Sequence, residues 1–242
     1  MTYDYIVIGG ASLYLGDCMD YMRGLPDKAF DLAIVDPPYG IGDFINSLGK
    51  KHHKKIEWNE TIPTLEYFKE LERVTKNKIV FGVNYYREFI SDTGIIVHDK
   101  TGGGMRFNPK EMSNIDIASH SFNNTMKIFH YTWIGNVQGS GVNWNNTGPD
   151  SRIHPCQKPI ALYEWLLTNY ANPGQRILDT HLGSGSSAIA CNNLGFEMVG
   201  CELDADYYAA ACQRVARDYA QPRLFAPVTK QAIQQNLIEA IK

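Results

Sequence analysis

The stretch RILDTHLGSGSSAIACNNLGFEMVGCE, Arg176 to Glu202, reads as strand, glycine loop, helix and strand. Arg176-Ile177-Leu178-Asp179 is a short apolar run closed by an acid. His181-Leu182-Gly183-Ser184-Gly185 then leads into a helix from Ser186 to Leu194, and Phe196 to Glu202 returns as strand. The same alternation runs outward on both sides. Downstream, Asp204 is a preferred N-cap for a helix carrying Tyr207, Tyr208, Ala211, Cys212 and Val215. Upstream, Pro159 starts a helix with Leu162, Trp165, Leu166 and Tyr170 on one face, ended by Pro173-Gly174. Near the N-terminus, Leu32-Ala33-Ile34-Val35 is a buried strand, a helix near Pro63 carries Leu65, Phe68, Leu71 and Val74, and Lys78 to Val83 is a strand again. Alternating strands and helices of this length predict an α/β fold with a mostly parallel, doubly wound sheet and right-handed crossovers.

Shorter elements fill the gaps. Tyr3 to Gly9 is a strand or a leading arm, Ser12 to Leu15 a strand, and Cys18 to Arg23 a helical turn. Tyr85 to Ile90 reads as a short helix, with Ile95 to His98 and Met126 to Ile134 as strands. Gly135 to Arg152 is a long loop rich in Gly and Asn, of a kind usually kept for function.

Composition narrows the class of protein. Hydrophobic content of 44% and charged content of 20% are ordinary for a soluble globular chain, and no apolar run reaches the ~20 residues that span a bilayer. Met1-Thr2-Tyr3-Asp4 lacks the basic flank of a signal peptide. Cys18, Cys156, Cys191, Cys201 and Cys212 form no C-x-x-C pair, so free thiols in a reducing cytoplasm and no metal site are expected. The net charge of −3 announces no polyanion partner, which leaves any such contact to a local patch.

A second stretch carries chemistry. Asp36-Pro37-Pro38-Tyr39 closes the strand at Val35. The residue before a proline is pushed out of the helical region, and each proline fixes its own φ, so the corner is stiff. A carboxylate, a carbonyl and an aromatic ring are thus held at the carboxyl end of a strand, where open α/β sheets bind ligands. An ordinary strand-ending turn has the same composition.

The glycine loop admits two cofactors. Gly183-x-Gly185-x-x-Ala188 with Glu202 beyond it fits the dinucleotide fingerprint, which makes the chain a nicotinamide enzyme. Against this, Asp179 sets an acid just before the loop, where a diphosphate is repelled and an amino-acid ammonium is welcome. Only forty residues follow Glu202, too few for a catalytic domain, so the chemistry lies upstream with Asp36.

Taken jointly, Asp36-Pro37-Pro38-Tyr39, His154-Pro155-x-Gln157-Lys158-Pro159, Asp179-x-x-x-Gly183-Ser184-Gly185-Ser186 and Gly200-x-Glu202 resemble the DNA amino-methyltransferases of the N6-adenine and N4-cytosine type. The catalytic motif precedes the cofactor motif, as in their β-class order, and smaller echoes resemble phage or prophage members. The resemblance implies a Rossmann-like S-adenosylmethionine-dependent methyltransferase fold with a seven-stranded sheet. Residues 1–226 would form the single methyltransferase domain, with inserted target-recognition regions around 40–60 and 100–153, and 227–242 a C-terminal helix. It implies S-adenosylmethionine at Asp17, Asp36, Lys158, Asp179, His181, Gly183, Ser184, Gly185, Ser186 and Glu202, with Glu202 on the ribose, Asp17 on the adenine and Lys158 near the methionine carboxylate. For Asp17 a helix N-cap is the competing role, and for Lys158 a solvated surface position. The chain departs from the family where Pro and Phe usually follow the first acid: it has Thr180 and His181.

An exocyclic amine is a poor nucleophile because its lone pair is delocalised into the ring. Asp36 and the Pro37 carbonyl can accept its two N–H groups and aim that lone pair, which makes catalysis mostly positioning and electrostatics. Tyr39, beyond Pro38, offers a ring on which a base flipped from the duplex can stack. Phosphate contacts fall to Lys50, Lys51, Lys54 and Lys55, and sequence reading to Gly102–Arg106 and the Gly135–Arg152 loop. Asp at the first motif position leans toward adenine. The N4-cytosine enzyme and an inactive regulator that binds cofactor or DNA are the alternatives. The expected partner is double-stranded DNA, without metal or membrane, and a homodimer is left open.

Overall fold

The computed structural model describes residues 5–41, 61–103, 113–134, 137–138, 141–142 and 152–221. The strands in chain order are β1 (Tyr5–Ile8), β2 (Ala11–Leu15), β3 (Phe30–Val35), β4 (Thr75–Phe81), β5 (Gly94–Asp99), β6 (Ile115–His120) and β7 (Met126–His130). After them come the two-residue strands β8 (Trp133–Ile134), β9 (Val137–Gln138) and β10 (Gly141–Val142), then β11 (Arg176–Asp179) and β12 (Glu197–Glu202). The helices are α1 (Cys18–Arg23), α2 (Leu65–Val74), α3 (Ile160–Tyr170), α4 (Ser186–Leu194) and α5 (Ala205–Tyr219).

Nine strands form one sheet in the order β1-β2-β12-β11-β3-β4-β6-β5-β7, and β10-β9-β8 form a small second sheet. From β2 through β12, β11 and β3 to β4 every pairing is parallel. β6 then runs antiparallel between β4 and β5. The expected seven strands are therefore present from β2 to β5, with β1 added antiparallel at one edge and β7 parallel at the other.

The central strands bury both faces, which is why they read as continuous apolar runs. Leu32 and Ile34 point into the core that α3, α4 and α5 cover, with Ile79, Phe81, Ile177 and Met198 beside them. Ala33 and Val35 point the other way, with Val80, Leu178 and Val199, under α1 and α2. This two-residue alternation is the strand period itself.

Three sequence expectations need correction. β6 was not foreseen: its alternation is interrupted by Asp116, Ser119 and His120, so no apolar run marks it, yet it supplies the antiparallel strand. Tyr85 to Ile90 is not a helix. Gly82 turns left-handed at φ 77° and a single 3₁₀ turn, Val83–Tyr85, follows. Met126 to Ile134 is two strands, because the chain leaves the sheet edge where Tyr131 and Trp133 donate to the carbonyls of Asp99 and Lys100. No helix among the described residues is long and apolar enough to cross a membrane.

The topology decides where acids meet. β2, β12, β11 and β3 are parallel neighbours, so their carboxyl ends share one edge. Asp17, Glu202, Asp179 and Asp36 lie at or just past those ends. Chain order is irrelevant to that meeting.

Candidate active site

Two clefts open at this edge. The first, of about 220 Å³, is lined by Asp17, Asp36 to Tyr39, His154, the loop Thr180–Ser184 and Glu202. The second, of about 580 Å³, is lined by Gly82, Asn84, Tyr85, Lys100, Asp116, Trp133 and Arg152. Tyr39, Cys156, Gln157 and Lys158 face both, so they form the wall between them.

The glycine loop is held from below and behind. Asp179 is buried, its carboxylate accepting from the His181 N–H at 3.0 Å and the Ser187 hydroxyl at 2.6 Å. Burial pushes its pKa up to about 6. Asp179 thus shapes the loop from beneath, bonded to His181 and Ser187. Gly183 and Gly185 both sit in the left-handed region. At Gly185 a Cβ would also stand 2.8 Å from Val215 of α5. Sequence reasoning missed Arg214, a buried guanidinium that donates to the Ser184 carbonyl at 2.9 Å and the Ser186 hydroxyl at 3.0 Å. Its place among Ala211, Cys212 and Val215 on the buried face of α5 was the available signal.

Glu202 lines the first cleft and closes its floor. Its carboxylate accepts from the Gly183 N–H at 2.8 Å and the Asp204 N–H at 3.0 Å, while burial raises its pKa to about 7. Asp17 does act as the N-cap of α1, accepting from Met19 N–H at 2.8 Å, and still lines the cleft. The cap and a ligand contact are therefore compatible.

The proline corner is tied down more firmly than the sequence suggests. Tyr86, unnoticed in the sequence, is fully buried, and its hydroxyl donates to the Pro37 carbonyl at 2.7 Å and also to the Pro38 carbonyl. One lone pair of the Pro37 oxygen is thus already engaged. The Tyr39 hydroxyl donates to Asp36 Oδ1, and its ring stacks on Tyr85 at 4.9 Å between centroids. One face of the ring expected to receive a base is therefore covered, and the hydroxyl has a partner of its own.

Lys158 is neither a surface lysine nor free. Its side chain is 7% exposed and its ammonium donates to Asp36 Oδ2, with the Tyr39 oxygen at 3.3 Å. Burial works against its charge, but Asp36 and Asp116 outweigh that and raise its pKa. The Trp133 indole fixes the lysine's neighbour by donating to the Gln157 carbonyl at 2.7 Å.

Lys50, Lys51, Lys54, Lys55, Arg106 and the C-terminal helix lie outside the described residues, as do Asn136, Asn143, Asn145 and Asn146. No group of three or more His, Cys, Asp and Glu suited to a metal occurs among the described residues.

The comparisons with known proteins agree with this geometry. A family model described as DNA methylase matches residues 105–213. The chain is 23% identical over 242 residues to the type II methyltransferase M.HpaI of Haemophilus parainfluenzae, spanning 86% of this chain and 74% of that one. Among solved structures it resembles the M1.HpyAVI–SAM complex at a TM-score of 0.54 and 20% identity, covering 84% of this chain and 99% of that one. It also resembles the PvuII DNA methyltransferase (cytosine-N4-specific) at a TM-score of 0.55 and 14% identity, covering 86% and 91%. These structural likenesses establish the methyltransferase fold. With the matched family model and the four motifs in order, the chain is similar to the N6-adenine and N4-cytosine DNA amino-methyltransferases.

Proposed function

We propose that the protein is a site-specific DNA methyltransferase that methylates the exocyclic N6 of an adenine flipped out of double-stranded DNA. The observation that carries this reading is the wall between the clefts, where Tyr39, facing both a glycine-and-acid cleft and a larger aromatic one, is bonded to Asp36 on the first cleft's side.

The first cleft fits S-adenosylmethionine. Gly16 and Gly183 are among its lining residues, and Glu202 and Asp17 supply acceptors suited to a ribose and an adenine amine. Bound there, S-adenosylmethionine supplies an electrophilic methyl group. The chain's own residues do the rest. Asp36 accepts one N–H of the target amine, and the second lone pair of the Pro37 carbonyl accepts the other. Held so, the nitrogen lone pair is turned out of the ring system and toward the first cleft. Tyr85 and Tyr39 present stacked rings to the second cleft, an apolar wall for an extruded base.

Asp36 at the first motif position favours adenine, and cytosine-N4 is the second reading because the PvuII enzyme is a structural relative. Incubating the protein with labelled S-adenosylmethionine and unmethylated DNA, then digesting to nucleosides, separates them. N6-methyl-2′-deoxyadenosine is the expected product. N4-methyl-2′-deoxycytidine would move the assignment to the second reading, and unlabelled DNA of every sequence would refute both.

A further inference from the structure

We infer that Lys158 is a positioning residue for the methyl-transfer step: its ammonium, lodged in the wall between the clefts, holds the Asp36 carboxylate turned toward the target amine. The inference rests on the transfer proposed above and adds a residue to it.

The geometry is specific. Lys158 Nζ donates to Asp36 Oδ2 while the Tyr39 hydroxyl donates to Oδ1, so the carboxylate is gripped at both oxygens. An ionised carboxylate has about four lone-pair sites, so two donors leave room for an amine N–H. Nζ also lies 4.6 Å above the Phe81 ring, which closes off water from that side. Burying an ammonium is costly unless it is paired, and lysines are almost never buried otherwise. Stability gives no reason to keep the pair, because apolar residues of similar volume usually serve a fold as well. A role at the clefts does give one. The site edge is rich in carboxylates, with Asp179 under the glycine loop and Asp116 across the second cleft, held by Lys100 at 3.0 Å. Lys158 sits under the influence of both Asp36 and Asp116, and of these Asp116 also has Lys100 at 3.0 Å and His98 at 3.5 Å beside it.

The test uses the full chain, carrying Lys158→Met or Lys158→Arg, in single-turnover methyl transfer with saturating S-adenosylmethionine and DNA. Lys158→Met is expected to lose about 10²–10³ in rate, as for a single preorganised electrostatic contact. The other groups facing Asp36, namely Tyr39, Tyr86, Tyr163, Cys156 and Asp179, are unchanged in the variant. Calorimetric affinity for S-adenosylmethionine should stay within about twofold. Lys158→Arg keeps the charge but not the geometry, so it should lose roughly tenfold in rate with cofactor affinity unchanged. A wild-type rate in Lys158→Arg overturns the inference whether or not Lys158→Met folds. So does a Lys158→Met variant whose only defect is weakened cofactor binding, since that would assign the lysine to the first cleft. A wild-type protein that methylates no DNA at all instead sinks the reading on which the inference rests.

Discussion

Gly82 offers a test in which local backbone and active-site geometry can be separated. It ends β4 at φ 77°, and a Cβ placed there would stand 2.3 Å from Tyr39 Cε1, 2.7 Å from Cδ1 and 3.0 Å from Cζ. A free ring could swing away, but this one is stacked on Tyr85 and bonded through its hydroxyl to Asp36. Gly82→Ala should therefore cost about 1–2 kcal/mol for a left-handed alanine. Displacing the ring adds roughly 0.5–1.5 kcal/mol of stacking and about 1.5–3 kcal/mol for a hydrogen bond to a charged group. Gly195→Ala is the control. That glycine, at the C-terminus of α4, has φ 74° and nothing within 4 Å of its would-be Cβ, so only the backbone term applies. Urea unfolding should put Gly82→Ala roughly 2–4 kcal/mol below Gly195→Ala, the difference being the lost ring contacts. Activity should split the same way: Gly195→Ala near wild type, Gly82→Ala down about 100-fold, the usual result of a 1 Å misplacement. Equal stability losses and equal rates in the two variants would refute the claim that Gly82 places Tyr39.

Three further outcomes follow from the site. Glu202 keeps a proton up to about pH 7 where the unfolded chain loses it near 4.5, so its contribution to stability falls as pH rises between those values. Ribose hydroxyls are better met by the ionised form, so S-adenosylmethionine affinity should rise through pH 7, and Glu202→Gln should flatten that rise in calorimetry; a flat wild-type profile would remove Glu202 from the ribose. Tyr39→Phe keeps the stacked ring but removes the donor to Asp36, so its single-turnover rate should drop about tenfold, with Tyr39→Ala lower still. Equal rates for wild type and Tyr39→Phe would show the hydroxyl to be idle. Replacing Lys50, Lys51, Lys54 and Lys55 with Ala should weaken DNA binding at all sequences and reduce the log–log salt slope by about 3–4, and an unchanged slope would return the run to solvent.

What the sequence revealed, and what it hid, follows from how each residue earns its place. The strands and helices from Arg176 to Tyr219 were legible because strand burial, a glycine loop and the Asp204 cap are local signals, and each is realised within a residue or two. The juxtaposition of Asp36, Asp179 and Glu202 was legible because parallel neighbours share a carboxyl edge whatever their order. Polar residues with distant partners were not legible. Lys158 was placed near the methionine carboxylate or at the surface and Arg214 was not singled out, and only the folded chain shows Asp36 beside one and the Ser184 carbonyl beside the other. β6 was hidden for the same reason: Ser119 and His120 are fully buried on a central strand, which no hydrophobic pattern marks. Tyr86 was one tyrosine of a Tyr85-Tyr86 pair, and nothing local distinguishes the buried one that braces Pro37 from the exposed one that stacks on Tyr39.

The departure at Thr180 and His181 has a physical explanation in a third residue, Tyr67 of α2. Family members usually place Pro and Phe at these positions, an apolar pair beside the cofactor. Here the Thr180 hydroxyl shares a hydrogen bond with Tyr67 at 2.6 Å and with His181 Nδ1 at 2.9 Å. The chain of three satisfies polar atoms that would otherwise be stranded beneath the first cleft, where leaving one unpaired costs about 1–3 kcal/mol. Burial pushes the His181 pKa down to about 4, so near neutral pH the ring carries no charge. It meets Tyr67 edge-on at 5.4 Å while lining the first cleft. A neutral imidazole held in this way gives the cleft a flat aromatic surface, as a phenylalanine would, and adds no cation to repel a sulfonium. Tyr67 thus gives the polar pair a partner on α2. Removing the Tyr67 hydroxyl would break the chain at its α2 end and leave Thr180 to satisfy itself with His181 alone.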